Sequence, residues 1–165
     1  MELPPLVVVD TSAAIEALIV ESEMHADYDG LLRVLRGAGC RFAYNELLEA
    51  ELIEAAYTWD ARRERAHDWR ARRRMHGLPR GRARVRSVLA GWRGLVDDDP
   101  GLVIPVGAVV DAALAYVTER GLGSYDAVHL ATARIMDCPI VTHDRMLARA
   151  AEPETKVIGR RRAAS

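Results

Sequence analysis

The sequence predicts an α/β fold: a central parallel sheet covered by helices on both faces, three layers within one domain. Three observations predict it. Short apolar runs rich in β-branched residues alternate with longer stretches of helical periodicity, the pattern of successive βαβ units. Several of those runs are apolar throughout rather than at alternate positions, as in strands buried on both faces. The chain has 165 residues, half of them hydrophobic, enough for one ordinary domain with a real core.

Leu6–Val9 is the first such run and ends in Asp10. It reads as a buried, central strand. Thr11 or Ser12 can cap the helix that follows, over residues 13–20. A second helix is expected over residues 24–35, ended by Gly37 and Gly39. Residues 41–43 make a short second strand. Asn45 reads as the cap of a helix over residues 46–53. Residues 59–95 form an Arg-rich helical hairpin carried on the surface, broken at Gly77, Leu78 and Pro79. Residues 102–104 are a third strand, and a helix from Val109 to Tyr116 stops near Gly121 and Gly123. Ser124 can cap the next helix, residues 126–136. Pro139 separates it from a strand at 140–142, and Asp144 opens a helix over 145–150. Residues 1–155 are expected as one domain, with a last short strand at 156–158 and a basic, mobile tail to residue 165.

Composition narrows the class. No apolar run approaches the roughly 20 residues needed to span a bilayer. The N-terminus lacks the basic-then-apolar order of a secretion signal. Cys40 and Cys138 stand in unrelated contexts and read as buried free thiols, which suits a reducing cytoplasm. The formal net charge is only −1, but it is unevenly placed. Residues 60–94 hold twelve arginines against three acids, Asp60, Glu64 and Asp68, and the rest of the chain is correspondingly acidic. Such clustering suggests a polyanion as partner.

The acids carry the chemistry. Asp10 ends one apolar strand and Asp144 lies two residues beyond another. In open α/β sheets, functional groups gather outside the carboxyl ends of the strands. Asp126 sits in a first helical turn, where an acid also favours the helix dipole, and Asp144 could equally be a helix cap. Carboxylates gathered in one pocket repel, by about 4 kcal/mol for two charges about 4 Å apart at an effective dielectric of 20. A pocket holding several would need a compensating cation, and hard oxygen ligands select Mg²⁺, with Mn²⁺ as a substitute. Whether these acids converge is left to the fold.

Residues 6–12 (LVVVDTS), 125–133 (YDAVHLATA) and 140–144 (IVTHD) together resemble the PIN domain, and most closely the VapC-type toxins of bacterial toxin–antitoxin pairs. The resemblance runs from Leu6 to about residue 150. It implies a compact α/β/α domain and a single-strand-specific endoribonuclease acting by hydrolysis with a metal-activated water. Asp10 and Asp126 would be the principal ligands, with Glu51 and Asp144 completing or orienting the shell; one ion or two stays open. The family's second acid lies about two turns into the helix after the second strand. Among Glu46, Glu49, Glu51 and Glu54, the spacing from Asn45 favours Glu51, with Glu49 and Glu54 as alternatives.

Thr11 and Thr142 are expected to hydrogen-bond the neighbouring carboxylates from behind. His129 and His143 flank the acids and could move protons or simply pack. The helical arm resembles the segment by which VapC-type proteins dimerise and meet an antitoxin, so a homodimer and a cognate antitoxin are the expected protein partners. Arg62, Arg63, Arg70, Arg73 and Arg80 are candidates for guiding single-stranded RNA. Trp59, Trp69 and Trp92 could stack on bases or be core. Residues 121–123 lack the rest of a nucleotide-binding fingerprint, and no zinc spacing is present.

Other functions are weaker. A phosphatase with an aspartate nucleophile wants a second acid two residues after Asp10, where this chain has Ser12. A non-catalytic PIN module would not need all four acids. A structure-specific deoxyribonuclease usually carries further DNA-binding elements.

Overall fold

In the computed structural model, residues 3–63, 78–96 and 102–159 are described, with the side chains of 60–63 excepted. Arg62 and Arg63 as side chains, Trp69, Arg70, Arg73 and the basic tail after residue 159 therefore lie outside the described residues.

Five parallel strands form one sheet: β1 (Leu6–Val9), β2 (Arg41–Asn45), β3 (Leu102–Ile104), β4 (Ile140–Val141) and β5 (Val157–Ile158), in the order β3-β2-β1-β4-β5. The chain winds outward from β1 to β3, then returns to the other side of β1 to begin β4. That reversal opens a crevice at the carboxyl ends of β1 and β4. Strand alternation sorts the core into two halves. Val7, Val9, Phe42 and Val141 face α1 (Thr11–Leu18), α2 (His25–Gly37), α3 (Leu48–Arg63) and α4 (Pro79–Val96). Val8, Ala43 and Ile140 face α5 (Val110–Arg120), α6 (Ser124–Ile135) and α7 (Arg145–Ala151). The result is the three-layer α/β/α arrangement with a parallel sheet that the alternation of elements predicts.

Several local expectations are corrected. Thr11 and Ser12 are the first residues of α1 and not its cap, which is Asp10 in extended geometry. Ser124 likewise lies inside α6, whose cap is Gly123. Asn45 closes β2, and α3 begins three residues later, at Leu48. That helix then runs unbroken to Arg63, so no new helix starts near Trp59.

The Arg-rich second arm is not a surface appendage. α4 starts at Pro79, where a proline's missing N–H is harmless, and buries Val85, Val88, Trp92 and Val96. Trp92 is fully buried and meets Tyr44 edge to face, with centroids 5.2 Å apart. At Gly91 a Cβ would lie 2.9 Å from Leu18 Cδ2, so α4 approaches α1 closely there. Apolar positions every three to four residues outweigh the arginines between them, because burying one such side chain is worth about 2 kcal/mol while a solvated arginine costs little.

Cys40 and Cys138 are buried free thiols. Burial pushes the Cys138 thiol up to about 11, and burial raises Cys40 as well. Among the described residues no helix is long and apolar enough to cross a membrane.

Candidate active site

Register builds the site. Val9 pairs with Val141, so Asp10 and Thr142 follow side by side at the ends of β1 and β4. Val8 pairs with Ala43, and two steps further on Asn45 stands beside Asp10. These three polar side chains are almost wholly buried, at 3%, 4% and 1% exposure for Asp10, Thr142 and Asn45. Burial without partners would cost a polar group a few kcal/mol, and here each has partners.

Asp10 caps α1 with its backbone alone; its carboxylate makes no capping bond. Its Oδ2 instead accepts from Thr142 Oγ1 at 2.7 Å and from the Ser12 hydroxyl. Ser12 Oγ in turn accepts from the backbone N–H groups of His143, at 2.9 Å, and Asp144, at 3.1 Å. Thr142 Oγ1 also accepts from the Asp144 N–H, at 3.0 Å. Two hydroxyls thus bind Asp10 to the loop that carries Asp144. Thr142 is hydrogen-bonded to the Asp10 carboxylate, while Ser12, read in the sequence as a cap, is a residue that reasoning missed. Its signal was its place two residues after a strand-end aspartate.

Asp144 caps α7: its Oδ1 accepts from Met146 N–H and Leu147 N–H at 2.6 and 2.9 Å. The capping reading is therefore correct for Oδ1, and Oδ2 is not used in the cap. Glu51 is in the first turn of α3. Its Oε2 accepts from the Thr11 hydroxyl and faces His129 Nε2 at 2.9 Å. Its Oε1 is buried and has no hydrogen-bond partner among the described residues. Of the other candidate glutamates, Glu49 pairs with Arg93 at 2.7 Å and Glu46 accepts from Val106 N–H at 3.2 Å.

Asp126 is in the first turn of α6, half-buried. Burial, then the charges of Asp10, Asp144 and Glu51, push its carboxyl up to about 6, with His129 pulling it the other way. One turn on, His129 is completely buried. Burial alone would favour its neutral form, whereas the hydrogen bond to Glu51 and the charges of Asp10, Glu51 and Asp126 raise its pKa. His143 is half-buried and stacks edge-on against Tyr28, with Nδ1 3.2 Å from the phenol oxygen. Tyr28 donates to the Thr142 carbonyl at 3.1 Å. At Gly159, where φ is +156°, a Cβ would lie 2.4 Å from that same carbonyl oxygen, so only glycine lets the end of β5 pass it.

The charges of Asp10, Glu51 and Asp144, scattered with Asp126 over 135 positions of sequence, thus all reach the Asp126 carboxyl at one edge of the sheet. Among the described residues no set of three or more His, Cys, Asp or Glu side chains is spaced to hold a metal ion as they stand. The donor set itself suits a divalent cation: hard carboxylate oxygens, one of them on Glu51 buried and unpartnered among the described residues, and a carboxyl on Asp126 raised by burial and by its like-charged neighbours.

The arginines are placed differently. Arg80 and Arg93 are 13 residues apart on α4, or about 20 Å along the helix axis. Arg93 pairs with Glu49, two residues from Glu51, and Arg84 pairs with Glu21 beyond the far end of α1. Arg93 is thus paired with a residue of α3, the helix that carries Glu51. Trp59 packs against the core and Trp92 is enclosed by it, so Trp92 has no face to offer a base.

Residues 7–153 match the family model described as "PIN domain". A search of curated proteins gave no match. Among solved structures, the chain is similar to VapBC2 from Rickettsia felis bound to a DNA fragment from their promoter, at 14% identity and TM-score 0.58, covering 93% of this chain and 98% of that one. It is also similar to FitAcB from Neisseria gonorrhoeae, at 16% identity and TM-score 0.54, covering 92% and 95%. A structure of FitAB bound to the IR36 DNA fragment matches at 15% identity and TM-score 0.56, covering 93% and 94%. At these identities the likeness is one of fold.

Proposed function

Because the chain belongs to the PIN domain family, we propose that it is a metal-dependent endoribonuclease that hydrolyses single-stranded RNA, and the toxin of a type II toxin–antitoxin pair. The observation that carries the reading is the convergence of acids on Asp126, whose carboxyl is pushed up to about 6 by burial first and then by the charges of Asp10, Asp144 and Glu51. Four acids gathered at the carboxyl edge of a parallel sheet are costly unless a cation offsets them.

Asp10, Glu51, Asp126 and Asp144 would hold Mg²⁺, or Mn²⁺ in its place. When bound, such an ion makes a coordinated water more acidic and offsets charge on the phosphodiester. Glu51 would offer Oε1, the oxygen that no other described group uses. Asp144 would offer Oδ2, since Oδ1 caps α7. Thr142 and Ser12 hold Asp10 from behind, so that its carboxylate keeps one orientation. Arg93, which pairs with Glu49 on the helix that carries Glu51, would meet a phosphate of the incoming strand. The likeness to VapBC2 supports a cognate antitoxin as protein partner, one that covers the acidic pocket. A homodimer and a cytoplasmic location complete the reading.

The test is a cleavage assay of purified protein on single-stranded RNA and DNA in Mg²⁺, Mn²⁺ or EDTA, beside Asp10→Asn. RNA cleavage that needs the metal and is lost in Asp10→Asn is expected. Equal cleavage by the variant would reject the site. Cleavage of DNA alone would make the protein a deoxyribonuclease, and cleavage of neither would make it a binding module.

A further inference from the structure

We propose that Asn45 sets the hydrogen on His129, making it a fixed donor to Glu51 rather than a metal ligand or a general base. The inference rests on the nuclease reading for its purpose, though not for its geometry. It starts from the backbone. Leu47 N–H donates to Asn45 Oδ1 at 2.8 Å, which fixes the amide's orientation and leaves Nδ2 as the group facing His129. Nδ2 lies 3.0 Å from His129 Nδ1. An amide nitrogen can only donate, so in the neutral ring Nδ1 must accept, and the hydrogen sits on Nε2.

The surroundings of Nε2 agree. It faces Glu51 Oε2 at 2.9 Å, Thr11 Oγ1 at 3.3 Å and Asp10 Oδ1 at 3.5 Å. The Thr11 hydrogen is itself directed at Glu51 Oε2. Every neighbour of Nε2 is thus an acceptor. Asn45 and His129 are 1% and 0% exposed, so water does not compete for either nitrogen.

The chain of bonds runs from the Leu47 backbone through Asn45 and His129 to Glu51, and it divides the work of the two Glu51 oxygens. Oε2 is taken by the His129 ring and the Thr11 hydroxyl. Oε1 is left without a partner among the described residues and is the oxygen that would meet a cation. Asn45 and His129 are therefore positioning residues. They hold Glu51 and do not touch the ion.

Nitrogen-15 NMR of the His129 ring in the intact protein, in slightly alkaline solution with and without Mg²⁺, tests this directly. Expected is a hydrogen on Nε2 and a bare Nδ1, unchanged by Mg²⁺. A hydrogen on Nδ1, or a metal-shifted Nε2, would overturn the proposal. Asn45→Asp, which replaces the donor by an acceptor, should move a hydrogen onto Nδ1; an unchanged ring would also overturn it. Mn²⁺ titration gives a second readout. His129→Leu should weaken binding by about 10-fold or more, with His129→Gln, which keeps an amide donor, recovering part of the loss. Equal affinity in all three proteins would count against the role. Should the ring carry its hydrogen on Nε2 in a protein that cuts no RNA, the nuclease reading alone would fall.

Discussion

Thr142 Oγ1 donates to Asp10 Oδ2 at 2.7 Å, joining the ends of two neighbouring strands whose residues are 132 positions apart. The bond is buried, and the same Thr142 oxygen accepts from the Asp144 N–H. One hydroxyl thus orients one acid and anchors the loop of another.

Thr142→Val keeps the shape and removes both bonds. Asp10 Oδ2 keeps the Ser12 hydroxyl and the Asp144 N–H keeps Ser12 Oγ, so the loss should cost about 0.5–1.5 kcal/mol. Denaturant unfolding would measure it. Mn²⁺ binding should weaken by about 10-fold or more, because Asp10 is no longer held. Unchanged affinity would show that Asp10 is oriented without Thr142.

Asp126 makes a prediction about pH. Its carboxyl stands at about 6 in the folded protein, against 3.8 ordinarily. The folded state therefore binds the proton more tightly than the unfolded chain does. This raised pKa makes stability fall as pH rises from about 4 to about 6, and stay lower above that. Asp126→Asn removes the ionised form and should stabilise the metal-free protein by about 1–2 kcal/mol above pH 6, after allowance for the partial exposure of the group. Thermal melts across this range would show the gain vanishing at low pH. In the wild type, protons and Mg²⁺ should compete, so ion binding weakens below about pH 6.

Gly159→Ala tests the close passage of β5. The added Cβ would meet the Thr142 carbonyl oxygen at 2.4 Å, on a backbone with φ +156°. Strain of about 1–3 kcal/mol is expected. Because that carbonyl belongs to the residue that holds Asp10, Mn²⁺ affinity should drop together with stability. Loss of stability with affinity intact would mean that the strand end shifts without disturbing the site.

Arg93→Ala and Arg80→Ala separate the two ends of α4. Removing a phosphate contact lowers the salt dependence of binding by about one unit of slope. Arg93→Ala should show that change with single-stranded RNA and Arg80→Ala should not, if RNA approaches across the helix that carries Glu51. The Asp10→Asn background keeps the RNA intact during the measurement. A larger effect at Arg80 would relocate the RNA path to the far end of the helix.

Much of this was legible in the sequence, because it is local. An apolar β-branched run such as residues 6–9 has few folds open to it other than a buried strand, and an acid at its end must lie at the sheet's edge. The alternation of such runs with helical periodicity determined the layers. Gly121, at φ +66°, and Pro79 mark their helix boundaries for backbone reasons alone. The family motifs around Asp10, Asp126 and Asp144 were equally readable.

What only the tertiary structure decided is which polar atoms share a hydrogen bond. Thr11, Ser12 and Ser124 are good caps by type, yet the caps fall on Asp10 and Gly123, and the Thr11 and Ser12 hydroxyls turn to Glu51 and Asp10. Asn45 looked like a cap and instead closes a strand and meets His129, 84 residues away. The arm at residues 79–96 looked like a charged surface and is half core. The reason is the same in each case. Periodicity reports which face of an element is buried, whereas a hydrogen bond depends on distances of about 3 Å between side chains far apart in sequence. Those distances exist only once the strands have found their register.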